Sequence, residues 1–254
     1  MDQSYSFEVD ATPDFVLAVL RDQHRHAVEI DAECDPEVDL TFASTVADWR
    51  IANDLLPAKR LGHALNQSWG LSLSDTQWRS VLVPPSQKTL KDVTALIAAH
   101  TKRTQLKPFR IAGTACLPAA AFLAIKDCLA ADGADVSDVA PSTPLHEYTR
   151  RDWLSFVCRV SRLAPGALPP ISINSPAHEA NLAVSWVGAL LLLVGILATT
   201  ITSQAFPVPL IGAFVLIATT VASYLIKDRP AANVTFGNLT TFRDLATCIA
   251  SNSG

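Results

Sequence analysis

The sequence offers few of the signatures that mark an enzyme. Its five cysteines, Cys34, Cys116, Cys128, Cys158 and Cys248, include no CxxC pair and are odd in number. That excludes a regular disulfide framework and fits reduced thiols. There is no GxSxG elbow, no Gly-rich phosphate loop and no EF-hand spacing, so nothing motivates a hydrolase triad, a nucleotide cradle or a calcium loop. Positive charge is not in excess: 20 Lys and Arg stand against 24 Asp and Glu, a net charge of −4. No nucleic-acid partner is expected, since such binding needs a basic patch or stripe. The opening Met1-Asp2-Gln3-Ser4-Tyr5-Ser6-Phe7-Glu8 lacks a basic n-region and an apolar h-region, which predicts no secretory signal peptide.

Charge is absent altogether from two long runs near the end. Leu182 to Ile201 and Val208 to Ile226 hold no ionisable side chain, and each is about 20 residues, the length that crosses a hydrocarbon core as a helix. The expectation is a transmembrane hairpin over 180–226, with spans at 182–201 and 208–226. Arg159 and Arg162 precede it and Lys227 and Arg229 follow it, while the connecting turn is uncharged. The positive-inside rule then puts both termini in the cytoplasm, in a multi-pass protein of the inner (plasma) membrane. Trp186, Tyr224, Lys227 and Arg229 are the expected membrane-interface residues, and the lipid bilayer is the expected partner. With no charge inside the spans, a pump or channel is disfavoured.

What is present elsewhere is helix grammar. Thr12-Pro13-Asp14 reads as a helix start, with Phe15, Val16, Val19 and Leu20 as its apolar face. Apolar residues from Asp54 to Trp69 recur at helical spacing and stop at Gly70; Ser74 opens a helix that ends at Pro84-Pro85. Thr89 caps a helix with Leu90, Val93, Leu96 and Ile97 inward. Leu117-Pro118 opens another that stops at Asp132-Gly133, and a further one is read from Asp152 to Leu163. Thr241-Phe242-Arg243-Asp244-Leu245 repeats the pattern of Thr89-Leu90-Lys91-Asp92-Val93, which predicts an internal repeat. The expected fold class is mainly α: two small helical-bundle modules in the cytoplasm plus the two-helix hairpin.

Both halves resemble acyl-carrier-protein domains. Asp54-Leu55-Leu56, Ala64-Leu65 and Trp69-Gly70-Leu71 resemble that family's second helix and the turn after it, where its pattern is Asp-Ser-Leu, Ala-Leu and Phe-Gly-Ile. Residues 89–93 and 239–250 are similar to its last helix, and 122–145 to its first helix and long loop. The resemblance implies four-helix bundles that hold a phosphopantetheine arm, with one module at 1–104 and a second at 105–176 and 230–254 that carries the hairpin as an insertion. The sequence departs from the family where the chemistry sits. The modified serine falls at Leu55, and near Thr149 in the second half, and a leucine has no nucleophile to accept the arm.

The remaining candidates read as structural. His24 and His26 precede Glu29, Asp31, Glu33, Asp35, Glu37 and Asp39, which in an extended segment would share one face; a solvated acidic loop is expected rather than a metal site. Cys34 in that run should have a raised pKa, and Cys128 and Cys158 sit in apolar helix patterns. His63, His100, His146 and His178 are isolated, and Arg150, Arg151, Arg159 and Arg162 are set equally between headgroup contacts and a wet helix face. The resulting expectation is a membrane-anchored, non-enzymatic interaction or scaffold protein with a protein partner, no cofactor, no catalytic residue and no metal. A membrane-bound acyl or peptidyl carrier or lipid-metabolism component, and more remotely a small transporter subunit, are the alternatives.

Overall fold

A computed structural model describes residues 4–29, 31–111, 114–131, 133–174 and 233–253. The first half begins with β1 (Ser6–Asp10), whose antiparallel partner is β2 (Lys102–Leu106), so that Ser6 faces Leu106 and Asp10 faces Lys102. Five helices lie between them: α1 (Pro13–Val28), α2 (Val46–Ala52), α3 (Ala58–Trp69), α4 (Asp75–Leu82) and α5 (Leu90–Ala98). The second half opens with the hairpin β3 (Phe109–Ile111) and β4 (Thr114–Cys116), then α6 (Leu117–Ala131) and α7 (His146–Val160). β5 (Ile171–Asn174) pairs with β6 (Asn233–Phe236), and α8 (Phe242–Asn252) closes the chain.

The two halves use one device. In the first, Val46 N donates to Lys88 O (2.8 Å), Leu90 N to Ser44 O (2.9 Å) and Lys91 N to Phe42 O (3.2 Å). In the second, Leu145 N donates to Thr240 O (2.9 Å), Phe242 N to Thr143 O (3.1 Å) and Arg243 N to Pro141 O (2.8 Å). The strap before each bridge turns alike: Thr41 N donates to Ser44 Oγ and Ala140 N to Thr143 Oγ1, both at 2.9 Å. A basic side chain of each half's first helix then reaches the strap, Arg21 to Leu40 O and Lys126 to Val139 O. The last helix of each half is capped by an acid three residues on. Asp92 accepts from Thr89 N and Oγ1, and Asp244 from the same atoms of Thr241, which satisfies orphan donors of the first turn. α5 packs on α1 and α8 on α6. Residue by residue, 89–92 therefore match 241–244, and 41–46 match 140–145.

Packing follows from where the apolar stripes point. Val16, Val19, Leu20, Trp49, Leu61, Leu65, Trp78, Leu90 and Ile97 meet in the first core, all buried. Ile125, Leu145, Phe156, Val160, Phe236, Phe242, Leu245 and Ile249 are buried in the second half. Gly62 lets α3 lie against α4, since a Cβ there would stand 2.7 Å from Trp78 Cγ. Trp78 is fixed in turn by its indole N–H, which donates to Asn66 Oδ1 (3.0 Å).

Several expectations are corrected. The described residues are mixed rather than mainly α, about 49% of them helical and 14% in strands. The strands are short runs at the seams of each half, paired with partners up to about a hundred residues away, which helix spacing does not reveal. The first half has five helices where the carrier resemblance implies four. α3 starts at Ala58 and not Asp54, because Asp54 is in the left-handed region (φ 43°) and Pro57 holds the N-cap. α7 starts at His146, not Asp152. Among the described residues no helix is long and apolar enough to cross a membrane. α1, with 16 residues, and α6 and α7, with 15 each, all fall short of a span and carry charge. The membrane anchor and the multi-pass inner-membrane localisation are therefore set aside. The spans read at 182–201 and 208–226, with Trp186, Tyr224, Lys227 and Arg229, lie outside the described residues. Finally, Met1–Ser172 and Val234–Gly254 form one compact unit.

Two outcomes follow for stability. Alanine in place of a helical glycine normally stabilises by up to about 1 kcal/mol, but Gly62→Ala should destabilise by roughly 1–3 kcal/mol through overpacking against Trp78, read by urea unfolding. The four hydrogen bonds from Thr240 and Thr241 hold the Asp244 carboxyl down to about 2. Its contribution is complete above the ordinary carboxylate value of about 3.9 and is lost as pH falls from there toward about 2. Thermal melts of Asp244→Asn should show less loss across that window than the parent chain.

Candidate functional site

Leu55, where the carrier resemblance would put a serine, lies in a locked loop. Leu55 N donates to Arg50 O (2.9 Å), and Arg50 Nε donates to Leu56 O (3.1 Å), so the end of α2 holds residues 54–56 in place. The left-handed backbone of Asp54 turns the chain there, a conformation Asp tolerates better than most residues. Leu55 is half-buried on the floor of a surface cavity of about 390 Å³ framed by Ala47, Arg50, Ile51 and Asp54. Beside it, Ile51 is 76% exposed and Leu56 46%. Large apolar side chains are thus held out to solvent around the point where a carrier would present its arm. Thr149, near which the resemblance would put the serine of the second half, falls on α7.

The acidic run comes to this loop rather than forming a straight face. Asp31 Oδ1 accepts from Glu33 N and Asp35 Oδ1 from Glu37 N, both at 3.0 Å, so the segment folds into side-chain-closed turns. Asp35 N donates to Ala52 O (2.9 Å), which pins the loop to the end of α2. Glu33 is exposed and its carboxyl is pushed up, first by a hydrogen bond with Asp54 and then by the charges of Asp54 and Asp31. The segment is not extended, and among the described residues no group of three His, Cys, Asp or Glu is placed to hold a metal ion. Cys34 is buried beneath them, and its thiol is raised by burial first and by Asp31, Asp54 and Glu33 after it.

His24 and His26 are not part of this loop. Both are buried on α1 with Asp22, a cluster that sequence reading missed although its spacing of two and four continues the buried stripe of Val16, Val19 and Leu20. Asn53 Nδ2 donates to Trp49 O, so its Oδ1 faces His24 Nδ1 at 2.9 Å and accepts that ring proton. Asp22 Oδ1 receives Arg25 Nη2 at 2.5 Å and lies 3.5 Å from His26 Nε2. Arg25 also donates to Leu168 O, so the cluster ties the first half to the second. A parallel tie is Arg162, expected at a headgroup or on a wet face. Its guanidinium instead lies over Trp69, 4.3 Å from the ring centroid, and donates to Ser68 O, a cation–π contact strengthened by desolvation. Burial lowers its pKa. Cys158 is half-buried nearby; burial raises its thiol against the opposing pull of Arg162. Tyr5 donates to Asp127, and burial with that acid pushes the phenol up to about 12.

The other candidates stand apart. Cys128 is half-buried on α6, His63, His100 and His146 are exposed on separate elements, Arg159 is exposed on α7, and His178 lies outside the described residues. Arg150 and Arg151 fall on α7. Comparison with protein-family models, with curated proteins and with solved structures gives no match.

Burial lowers the His26 pKa, with Asp22 opposing and Arg25 adding to the effect. A histidine kept neutral in the fold contributes stability above its unfolded value of about 6.5, lost as pH falls below it. His26→Gln should flatten the decline of unfolding free energy as pH falls below about 6.5 without altering its course above that, measured by urea titration.

Proposed function

We propose that this chain is a non-enzymatic interaction or scaffold protein, built on a duplicated carrier-like frame whose carrier chemistry has been replaced by a docking face. The observation that carries the reading is the apolar cluster at the carrier position. Ile51 at 76% exposure and Leu56 at 46% flank the half-buried Leu55, held by two hydrogen bonds to Arg50 rather than left to collapse inward. Apolar side chains fixed outward beside a shallow cavity suit a protein partner, because they supply the buried centre of an interface. Arg50 and Asp54 would form its polar rim. The frame differs from a carrier in helix number and in Leu55 itself, and it is the second difference that removes the nucleophile for an arm.

Two measurements test this. Intact mass after co-expression with a promiscuous phosphopantetheinyl transferase should be unchanged; a gain of one arm would make the protein a carrier and end the reading. A photo-crosslinking residue at Ile51 should trap one discrete partner. Ile51→Asp should abolish co-purification of that partner while changing stability by no more than about 0.5 kcal/mol, as expected of an exposed site. Partner capture indifferent to Ile51→Asp would contradict the docking face.

A further inference from the structure

The duplicated frame allows each half to serve as the control for the other, and the comparison exposes a difference. In the second half a cavity of about 350 Å³ opens beside α6 and α8. Phe109, Pro118, Phe122, Leu123 and Ala246 wall it, and Pro141 and Arg243 are its exposed members. The matching hydrogen bonds make Phe42 the counterpart of Pro141 and Lys91 the counterpart of Arg243. Phe42 packs against the first core, so the first half carries an aromatic ring where the second carries only a proline. Three residues further along the last helix, the buried Thr94 is matched by the smaller Ala246. Along the first helix, aligned on Pro13 with Pro118 and on Arg21 with Lys126, Phe15, Val16 and Val19 are replaced by Ala120, Ala121 and Ala124. Those three alanines do not line the cavity, whose α6 wall carries Phe122 and Leu123 in place of Leu17 and Ala18; the side-chain volume lost at the cavity itself is that of the strap, at Pro141, and of α8, at Ala246.

We propose that this cavity is a binding site for a single-chain apolar molecule carrying one negative charge, of the medium-chain carboxylate class. Its volume admits roughly ten to twelve groups the size of a water molecule, within the range of small-ligand sites. Its walls are aliphatic and aromatic, so the body of the ligand is hydrocarbon. Arg243 is the charged residue of the lining and is exposed at its edge, so a carboxylate at the opening has a guanidinium within the lining to pair with. Lys126, whose Nζ lies 5.9 Å from the centroid of the lining Phe122 ring and donates to Val139 O, puts a second positive charge beside that wall. The first half cannot do this, because Phe42 takes up the equivalent place.

The test uses the full chain, with decanoate displacing 1-anilinonaphthalene-8-sulfonate, followed by fluorescence. Decanoate is expected to compete with a dissociation constant on the order of 100 µM. Pro141→Phe, which restores the first half's ring, should weaken binding at least about tenfold, and Ala246→Leu, which fills the site from α8, should do the same; thermal melts select whichever variant retains the parent's cooperative unfolding. Arg243→Gln should weaken decanoate about tenfold and leave decanol unchanged. The proposal is overturned if the folded filling variant binds decanoate as the parent does. It is equally overturned if decanoate fails to compete at millimolar concentration, or if Arg243→Gln weakens the alcohol as much as the acid.

Discussion

Everything else in this fold hangs on a short antiparallel bridge made twice, between the strap that enters α2 or α7 and the residues that start α5 or α8. Each bridge is closed by backbone hydrogen bonds on both sides of the pair, Thr45 with Thr89 and Pro144 with Thr241. It sits at a helix N-terminus, where donors need partners and where the aspartate three residues on supplies one. Once the bridge is made, the last helix of the half has no choice but to lie along the first, and the apolar stripes of α1 and α5, or of α6 and α8, close on one another. In the second half this happens although β5 and β6 leave residues 175–232 between α7 and α8.

The halves then join through groups that a hydrophobic core would normally exclude. Asp22, Arg25 and His26 on α1 reach Leu168, and Arg162 on the far side reaches Trp69 and Ser68. Such contacts are expensive to leave unpaired and gain little against a well-packed apolar seam, but they admit only one docking geometry. Duplication of a frame makes specificity of this kind useful, because two like halves have like surfaces and need a device to fix which faces meet.

The sequence announced the helix starts with clarity, because caps are local. Thr12-Pro13, Ser74, Thr89, Leu117-Pro118 and Thr241 each mark a helix where one is found, and the match of 89–93 with 241–245 already contained the repeat. α2 was as plainly spelled in Thr45-Val46-Ala47-Asp48, a box that closes on itself with Asp48 accepting from Thr45 Oγ1 at 2.7 Å. The apolar run after Asp54 obscures it, because helical spacing there extends upstream past Pro57, where the helix itself cannot. The strands were not legible, since three to five residues with distant partners leave no periodic trace. Leu55 was recognisable as a departure from a carrier pattern. The neighbour that gives the site its character, Ile51, was not, because an isoleucine in a helix says nothing of the side it faces. The cavity in the second half depends on one alanine and one proline, residues that register as a helix former and loop punctuation rather than as missing volume.

The two bridges have equal standing in the fold, and native-state hydrogen exchange at the bridge amides tests this most directly. Val46 and Leu90 N–H report the first bridge, and Leu145 and Phe242 N–H the second. One frame built twice predicts that all four exchange only through global unfolding, with the same opening free energy and the same denaturant dependence. Exchange of Leu145 and Phe242 through local opening, while Val46 and Leu90 remain protected, would contradict it and make the second half an appendage of the first.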